Sequence, residues 1–431
     1  MRLSAIKSKV AGNKTLLNGS LFSLFSFFNQ GVGFVLLILL AEYIAPAEYG
    51  SLSMFNTVFL PNRANGFLGF FIAMSTQGFL AISYFKRGPA HFKEDVSAIS
   101  LISLTSFIVL GAVIALLHRQ LSQWLHLPTA FLFATVAIAF FHLFFDMRLN
   151  YLRVQEKVTR YGLWSCTFAL ISFALSLYLV IGRRLDWEGR AYANLICSIA
   201  FGVLAIGCFF RERLFTFKVS ADTFKTILYW GVPLIPHLAS VWIKQGGDRL
   251  IINEQHSLAD VGLFSFALNL TSIIIMIGSA FNATNSVSIY KTLSSGEPAC
   301  DIRSKLRRQT RDIAIIYLIA YVCIVLGASL LTPLLLPRYA ESIPYFLILS
   351  LQGLGQCFYF LYSNYLFYYH RNKQLMLVTF TTSVLHLLLS LLLTRYSLIY
   401  TCCIYVFVQV ILVYSLYKLS RKALTENLET S

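Results

Sequence analysis

Charge is what this sequence has least of. Only 13% of its 431 residues are Asp, Glu, Lys or Arg, against roughly 25% in a soluble domain. With 57% hydrophobic residues and a mean hydropathy of +0.68, the chain carries more apolar surface than a water-soluble core can hide. Acids are scarcest, 19 against 35 bases, for a net charge of +16. The bases fall in short clusters between apolar runs and form no continuous stripe, which argues against nucleic acid as a partner. Also lacking is any CxxC pair or Cys/His metal spacing among Cys166, Cys197, Cys208, Cys300, Cys323, Cys357, Cys402 and Cys403, so neither a disulfide framework nor a metal site is expected. No GxSxG, HExxH or P-loop occurs, and no acidic pair sits in a long outer loop. The chain therefore reads as a non-enzyme without cofactors, and active transport would draw on an H+ or Na+ gradient or on consumption of the product.

What is present is apolar helix. A crossing needs about 20 apolar residues, and twelve spans are predicted near 17–41, 50–80, 96–117, 129–149, 160–181, 190–210, 226–252, 258–289, 313–336, 343–368, 374–394 and 397–418. The first apolar stretch, Leu16 to Ala45, follows Arg2, Lys7, Lys9 and Lys14. It is too long for the core of a secretory signal and shows no small-x-small cleavage site. Placing the N-terminus in the cytoplasm puts most of the bases on the inner side, including Arg148, Arg153, Lys157 and Arg160, and Arg303, Lys305, Arg307, Arg308 and Arg311. This obeys the positive-inside rule, and an even span count returns the C-terminus to the cytoplasm.

Shifting the chain by 212 residues lays Glu42 on Glu254, Ala47 on Ala259, Glu48 on Asp260, Gly50 on Gly262 and Ser53 on Ser265. The shared pattern falls on the same outer turn of each half and points to a duplication. Six spans per half give parallel repeats related by a pseudo-two-fold axis along the membrane normal. The expected fold is all-α integral membrane, with an N-terminal lobe of residues 1–215 and a C-terminal lobe of 216–431 around a central cavity.

Ionisable residues inside a span are costly and face a cavity or a partner. Arg63 follows Pro61 in span 2, with Asn56 on the same helical face. It is either a cation facing the cavity or a structural Arg that bonds carbonyls freed at the proline. In span 7, His237, Lys244 and Asp248 fall on one stripe at 100° per residue, while Arg249 points away. Lys244 and Asp248 are spaced to pair, as a working pair that exchanges partners or as a salt bridge that only aids insertion; Gly246 and Gly247 can unwind the helix there. Asp248 and His237 are the ion-coupling candidates. His142, His386 and Asp146 are weaker. A lone histidine on an apolar face is more often packed than a relay, and Asp146 is expected to pair with Arg148. The aromatic run Tyr359–Tyr369 reads as an interfacial belt before it reads as a sugar platform.

The stretch ending LLAEYIAPAEYGSLSMFN, the block GVPLIPH…GDRLIIN…ADVGLFS at 231–265 and the inner loop IRSKLRRQTRD resemble the lipid-linked oligosaccharide (O-antigen unit) flippases of the polysaccharide transporter family. These belong to the superfamily that includes the multidrug and toxic compound extruders (MATE). The resemblance implies two six-helix lobes around a cationic cavity and an undecaprenyl-diphosphate-linked glycan as cargo. It implies passage from the cytoplasmic to the periplasmic leaflet of a bacterial inner membrane, and work alongside a polysaccharide polymerase and a chain-length regulator. Asp248 and Arg249 match the family's DR pair, whereas Arg63 and Lys244 come from burial alone and Asn56 from the face it shares with Arg63. The alternatives are a MATE-like drug or cation exporter, which wants buried acids for its cargo, and a membrane-embedded glycan polymerase or ligase, which wants a long outer loop.

Overall fold

The computed structural model describes residues 2–59, 67–72, 76–235, 239 and 242–428, and among these residues it is helical with no strand. The first half runs α1 (Arg2–Tyr43), α2 (Pro46–Phe59), α3 (Phe67–Ile72), α4 (Phe79–Lys86), α5 (Gly88–Leu125), α6 (Thr129–Val154), α7 (Val158–Leu177) and α8 (Asp186–Arg211). The second runs α9 (Ala221–Gly231), α10 (Asp248–Gln255), α11 (Leu258–Leu293), α12 (Ala299–Leu335), α13 (Ile343–Tyr368), α14 (Asn372–Leu393) and α15 (Leu398–Leu428).

Ten helical stretches are long and apolar enough to cross a bilayer. The two remaining predicted spans, 50–80 and 226–252, are segmented among the described residues. Span 2 contains α2, α3, a 3₁₀ turn at Thr76–Gly78 and the start of α4. Span 7 contains α9, a 3₁₀ turn at Val232–Leu234, a π turn at Ile243–Gly247 and α10. Pro233 supplies no backbone donor in the first of these turns, and the Gly246–Gly247 pair weakens α-helix in the second. The partner of span 2 under the repeat, α11, is one continuous helix, so the 3₁₀ turn at Thr76–Gly78 has no counterpart there.

The chain packs as two compact units, Met1–Ile44 with Met54–Trp242, and Ala45–Ser53 with Ile243–Ser431. These units divide at Trp242, whereas the lobes read from the repeat divide at 215/216. The reason is visible near the N-terminal end of α5. Glu94 accepts from the Ser220 backbone N–H at 2.7 Å and from Thr223 Oγ1 at 2.9 Å, and Ser97 Oγ accepts from the Thr216 N–H at 2.8 Å. Those bonds hold the link after α8, and α9 itself, onto the first unit. In that unit α6 packs on α5 and α8, and α1 on α7. In the second, α13 lies between α11 and α15. The apolar window of α11 is 61% buried and that of α12 only 11%, which makes α11 a core helix and α12 a peripheral one. Leu330 and Leu334 accordingly point outward from α12, as lipid-facing side chains do.

Residues 45–53 join the second unit through the repeated motif itself. A Cβ on Gly50 would meet the Leu258 carbonyl oxygen at 1.9 Å, and one on Gly262 would meet the Pro46 carbonyl oxygen at 1.8 Å. Both pairs obey the 212-residue shift, so the contact is reciprocal about a local two-fold. Only residues without a side chain let the two helix starts approach this closely. Ser257 caps α11 in a capping box with Asp260, which satisfies two of the helix's free N–H groups.

Candidate functional site

The second unit holds a polar cluster in its core. The π turn at Ile243–Gly247 lies immediately before Asp248, which opens α10. The structure gives the Asp248 carboxylate to His386, Nε2 to Oδ2 at 2.7 Å, with both side chains only 2% exposed. Asp248 opens α10 and His386 sits in α14, so the pair ties two elements 138 residues apart. His386 is thus a packed histidine with one nitrogen satisfied, and the partner that satisfies it is the one acid of span 7. Lys244 was expected to be that partner; its side chain lies outside the described ones.

Tyr405 of α15 stacks edge-on against His386, centroids 4.6 Å apart. The hydroxyls of Tyr405 and Ser390 are buried and accept or donate no hydrogen bond of good geometry, although both lie close enough to Asp248 to act on it electrostatically. Arg249 Nε donates to Ser265 Oγ at 2.9 Å, and Tyr405, Tyr49 and Asp248 are the ionisable groups around it. Asn269 Nδ2 donates to the Tyr49 hydroxyl at 2.7 Å. The cluster thus joins an acid, an imidazole and a guanidinium with spare hydroxyl capacity, in an interior where unmet polar groups are costly. An imidazole and a carboxylate at this distance can share or exchange a proton.

Of the other predicted site residues, Arg63 and His237 lie outside the described residues. Asn56 is part-buried in α2 of the first unit, and its Oδ1 has no hydrogen-bond partner. Asp146 does not pair with Arg148 as expected. Arg148 is 4% exposed and makes a two-pronged fork with Glu212, at 2.8 and 2.7 Å. Tyr151, Trp164 and Phe209 surround the same guanidinium at 5.8 to 5.9 Å. Asp146 instead lies 3.8 Å from His142. The bidentate geometry explains the choice: neighbours two apart on a helix point in different directions, while Glu212 arrives from the end of α8. The Arg148 hydrogen bonds hold Glu212 below the usual carboxylate range, outweighing burial, with the charges of Arg148, Lys157 and Arg160 adding to them. On the same predicted inner side, a basin of about 320 Å³ is lined by His91, Lys93, Glu94, Thr216 and Lys218.

Solved transporter structures share this fold. An inward-facing multidrug resistance MATE family transporter of the MOP superfamily aligns with a TM-score of 0.73 at 14% identity, over 94% of this chain and 96% of that one. The lipid II flippase MurJ in an inward closed conformation aligns with a TM-score of 0.69 at 14% identity, over 92% and 86%. An uncharacterized membrane protein of Haemophilus influenzae is 21% identical over 361 residues, 83% of this chain and 84% of its own length. No known family profile matches the chain. The fold is an all-α membrane fold shared with MATE transporters, and the structural neighbours are transporters and flippases rather than enzymes.

Proposed function

We propose that this protein is a flippase that moves undecaprenyl-diphosphate-linked oligosaccharide units from the cytoplasmic to the periplasmic leaflet of a bacterial inner membrane by alternating access. One observation carries the choice of an anionic over a cationic cargo. The two buried carboxylates among the described residues, Asp95 and Asp248, are both committed, Asp95 to Arg87 at 2.6 Å and Asp248 to His386. A drug cation would find no free acid among them. A diphosphate cannot enter hydrocarbon unpaired, and cationic side chains in a span replace its water. Likeness to a lipid II flippase supports the lipid-linked class. Arg63, Lys244, Arg249 and Asn56 are the proposed cargo contacts, and the basic inner rim concentrates the anionic headgroup before entry. Asp248, with His386, is the proposed coupling pair for H+ or Na+. The polymerase and chain-length regulator that consume the flipped unit are the proposed partners.

Deleting the gene in its own host tests the reading. Lipid-linked glycans of normal composition should accumulate while surface glycan falls. Normal surface glycan together with new sensitivity to cationic drugs would refute the reading and favour an exporter. Accumulation of single units already on the outer leaflet would favour a polymerase.

A further inference from the structure

We propose that Arg190 and Asn194 form a binding site for an oxyanion, a carboxylate or phosphate group, inside the first unit. The topology predicted from charge counts Arg190 with the outer basic residues, and a charge near a helix end normally snorkels toward water. Here the side chain turns the other way. Its Cα lies about 6 Å below the start of α8, at 1.5 Å rise per residue. Its Nη1 donates to Ser176 Oγ and to Ser172 Oγ on α7, both at 2.8 Å. Those serines precede Gly182, the end of the helical stretch, by about 9 and 15 Å on the same rise. The guanidinium therefore reaches deeper into the span than its own backbone.

Two serine hydroxyls do not neutralise it. Every Asp and Glu of the first unit lies among the described residues, and none pairs with Arg190. A guanidinium stays charged, and a charge in a span faces a partner or a ligand. Both serine bonds use one nitrogen, so Nε and Nη2 keep their donors. One turn deeper on the same face of α8, Asn194 is 7% exposed and its Nδ2 has no acceptor. A buried amide donor without an acceptor is costly, and an oxyanion seated against Arg190 would satisfy both side chains. Phe55, the residue before Asn56, meets Trp187, three residues before Arg190, with centroids 6.1 Å apart. A proposed cargo contact thus lies on a helix that packs at this end of α8. A purely structural stripe gluing α7 to α8 would not leave three donors spare.

The oxyanion has two natural sources under the flippase reading, the carrier's diphosphate and the carboxylate of an acidic sugar. The test uses the full chain in detergent micelles and follows its thermal unfolding. Sodium pyrophosphate and sodium glucuronate are titrated against sodium chloride at matched ionic strength. A saturable rise in Tm with pyrophosphate assigns the carrier, and one with glucuronate assigns the sugar. Arg190→Gln should raise the apparent Kd at least tenfold. If that variant fails to accumulate, Arg190→Lys and Asn194→Leu carry the test, each expected to weaken binding several-fold. No effect beyond chloride, or unchanged affinity in these variants, overturns the site. The measurement involves no transport, so it can fail while the flippase reading stands. Conversely, a normal lipid-linked glycan pool in the deletion strain would sink that reading and leave the site untouched.

Discussion

Replacing His386 by Leu should strand the Asp248 carboxylate in a fully covered interior. Both partners are 2% exposed and meet at 2.7 Å, the situation in which removing one member of a buried pair costs about 3–5 kcal/mol. The Ser390 and Tyr405 hydroxyls beside it have no other partner, and they can recover part of that loss, at about 1 kcal/mol per hydrogen bond. His386→Leu is therefore expected to cost about 1–3 kcal/mol after that recovery. Asp248→Leu alone should cost less, since a neutral imidazole is cheaper to bury than a carboxylate. The double change replaces both groups by apolar ones of similar bulk and should return near the parent stability, giving a coupling energy of about 2 kcal/mol or more. Unfolding free energies in mixed micelles, read for all four corners of the cycle, measure it. Transport, as surface glycan per molecule of inserted protein, is read alongside. If the pair only aids insertion and packing, the double variant recovers stability and transport together. If it couples an ion, stability returns and transport does not. A His386→Leu cost below about 1 kcal/mol would refute the reasoning, since a buried carboxylate that loses its partner should cost more.

Gly50→Ala and Gly262→Ala each drive a methyl group into a carbonyl oxygen closer than 2 Å away, and each should destabilise by about 1–3 kcal/mol or more through forced separation of the helix starts. Because both act on one contact, the double variant should cost less than the sum, as a thermal unfolding series would show. Glu212, held below its usual range in the fold, contributes stability that is fully present above the unfolded carboxylate value of about 4.3 and is lost as pH falls through the lower folded one. Glu212→Gln should therefore flatten the acid limb of a stability–pH curve, and an unchanged limb would remove the ion pair from the account. Reporter fusions after Arg160 and Arg311 should read cytoplasm, and those after Arg184 and Arg338 periplasm; one reversal breaks the twelve-span order. Arg63→Ala should abolish glycan display per molecule and Arg63→Lys retain part of it, because a guanidinium grips phosphate by a fork and an ammonium does not.

Much of the architecture was legible in one dimension because hydrocarbon leaves few choices. With no water to satisfy the backbone, a run of about 20 apolar residues must be helical, and ten such helices appear in the expected places. The repeat was legible for a different reason: a side chain at position 50 or 262 would collide with a carbonyl, so the glycines stand in register in both halves. Spans 2 and 7 were legible only as apolar. Hydropathy cannot distinguish a straight helix from one carrying 3₁₀ and π turns, such as those at Val232–Leu234 and Ile243–Gly247.

Pairing was the part that the linear chain could not determine. Spacing suggested Arg148 for Asp146, since that neighbour is one a single helix shows. Tertiary packing brought His386 to Asp248 and Glu212 to Arg148 from 138 and 64 residues away. It also turned Arg190, an ordinary outer charge in sequence, toward the serines of α7. Composition and periodicity decide what a segment must be in a bilayer, because that is a matter of solvation along one helix. Which ion meets which is decided by the packing of separate helices, and no single segment carries that information.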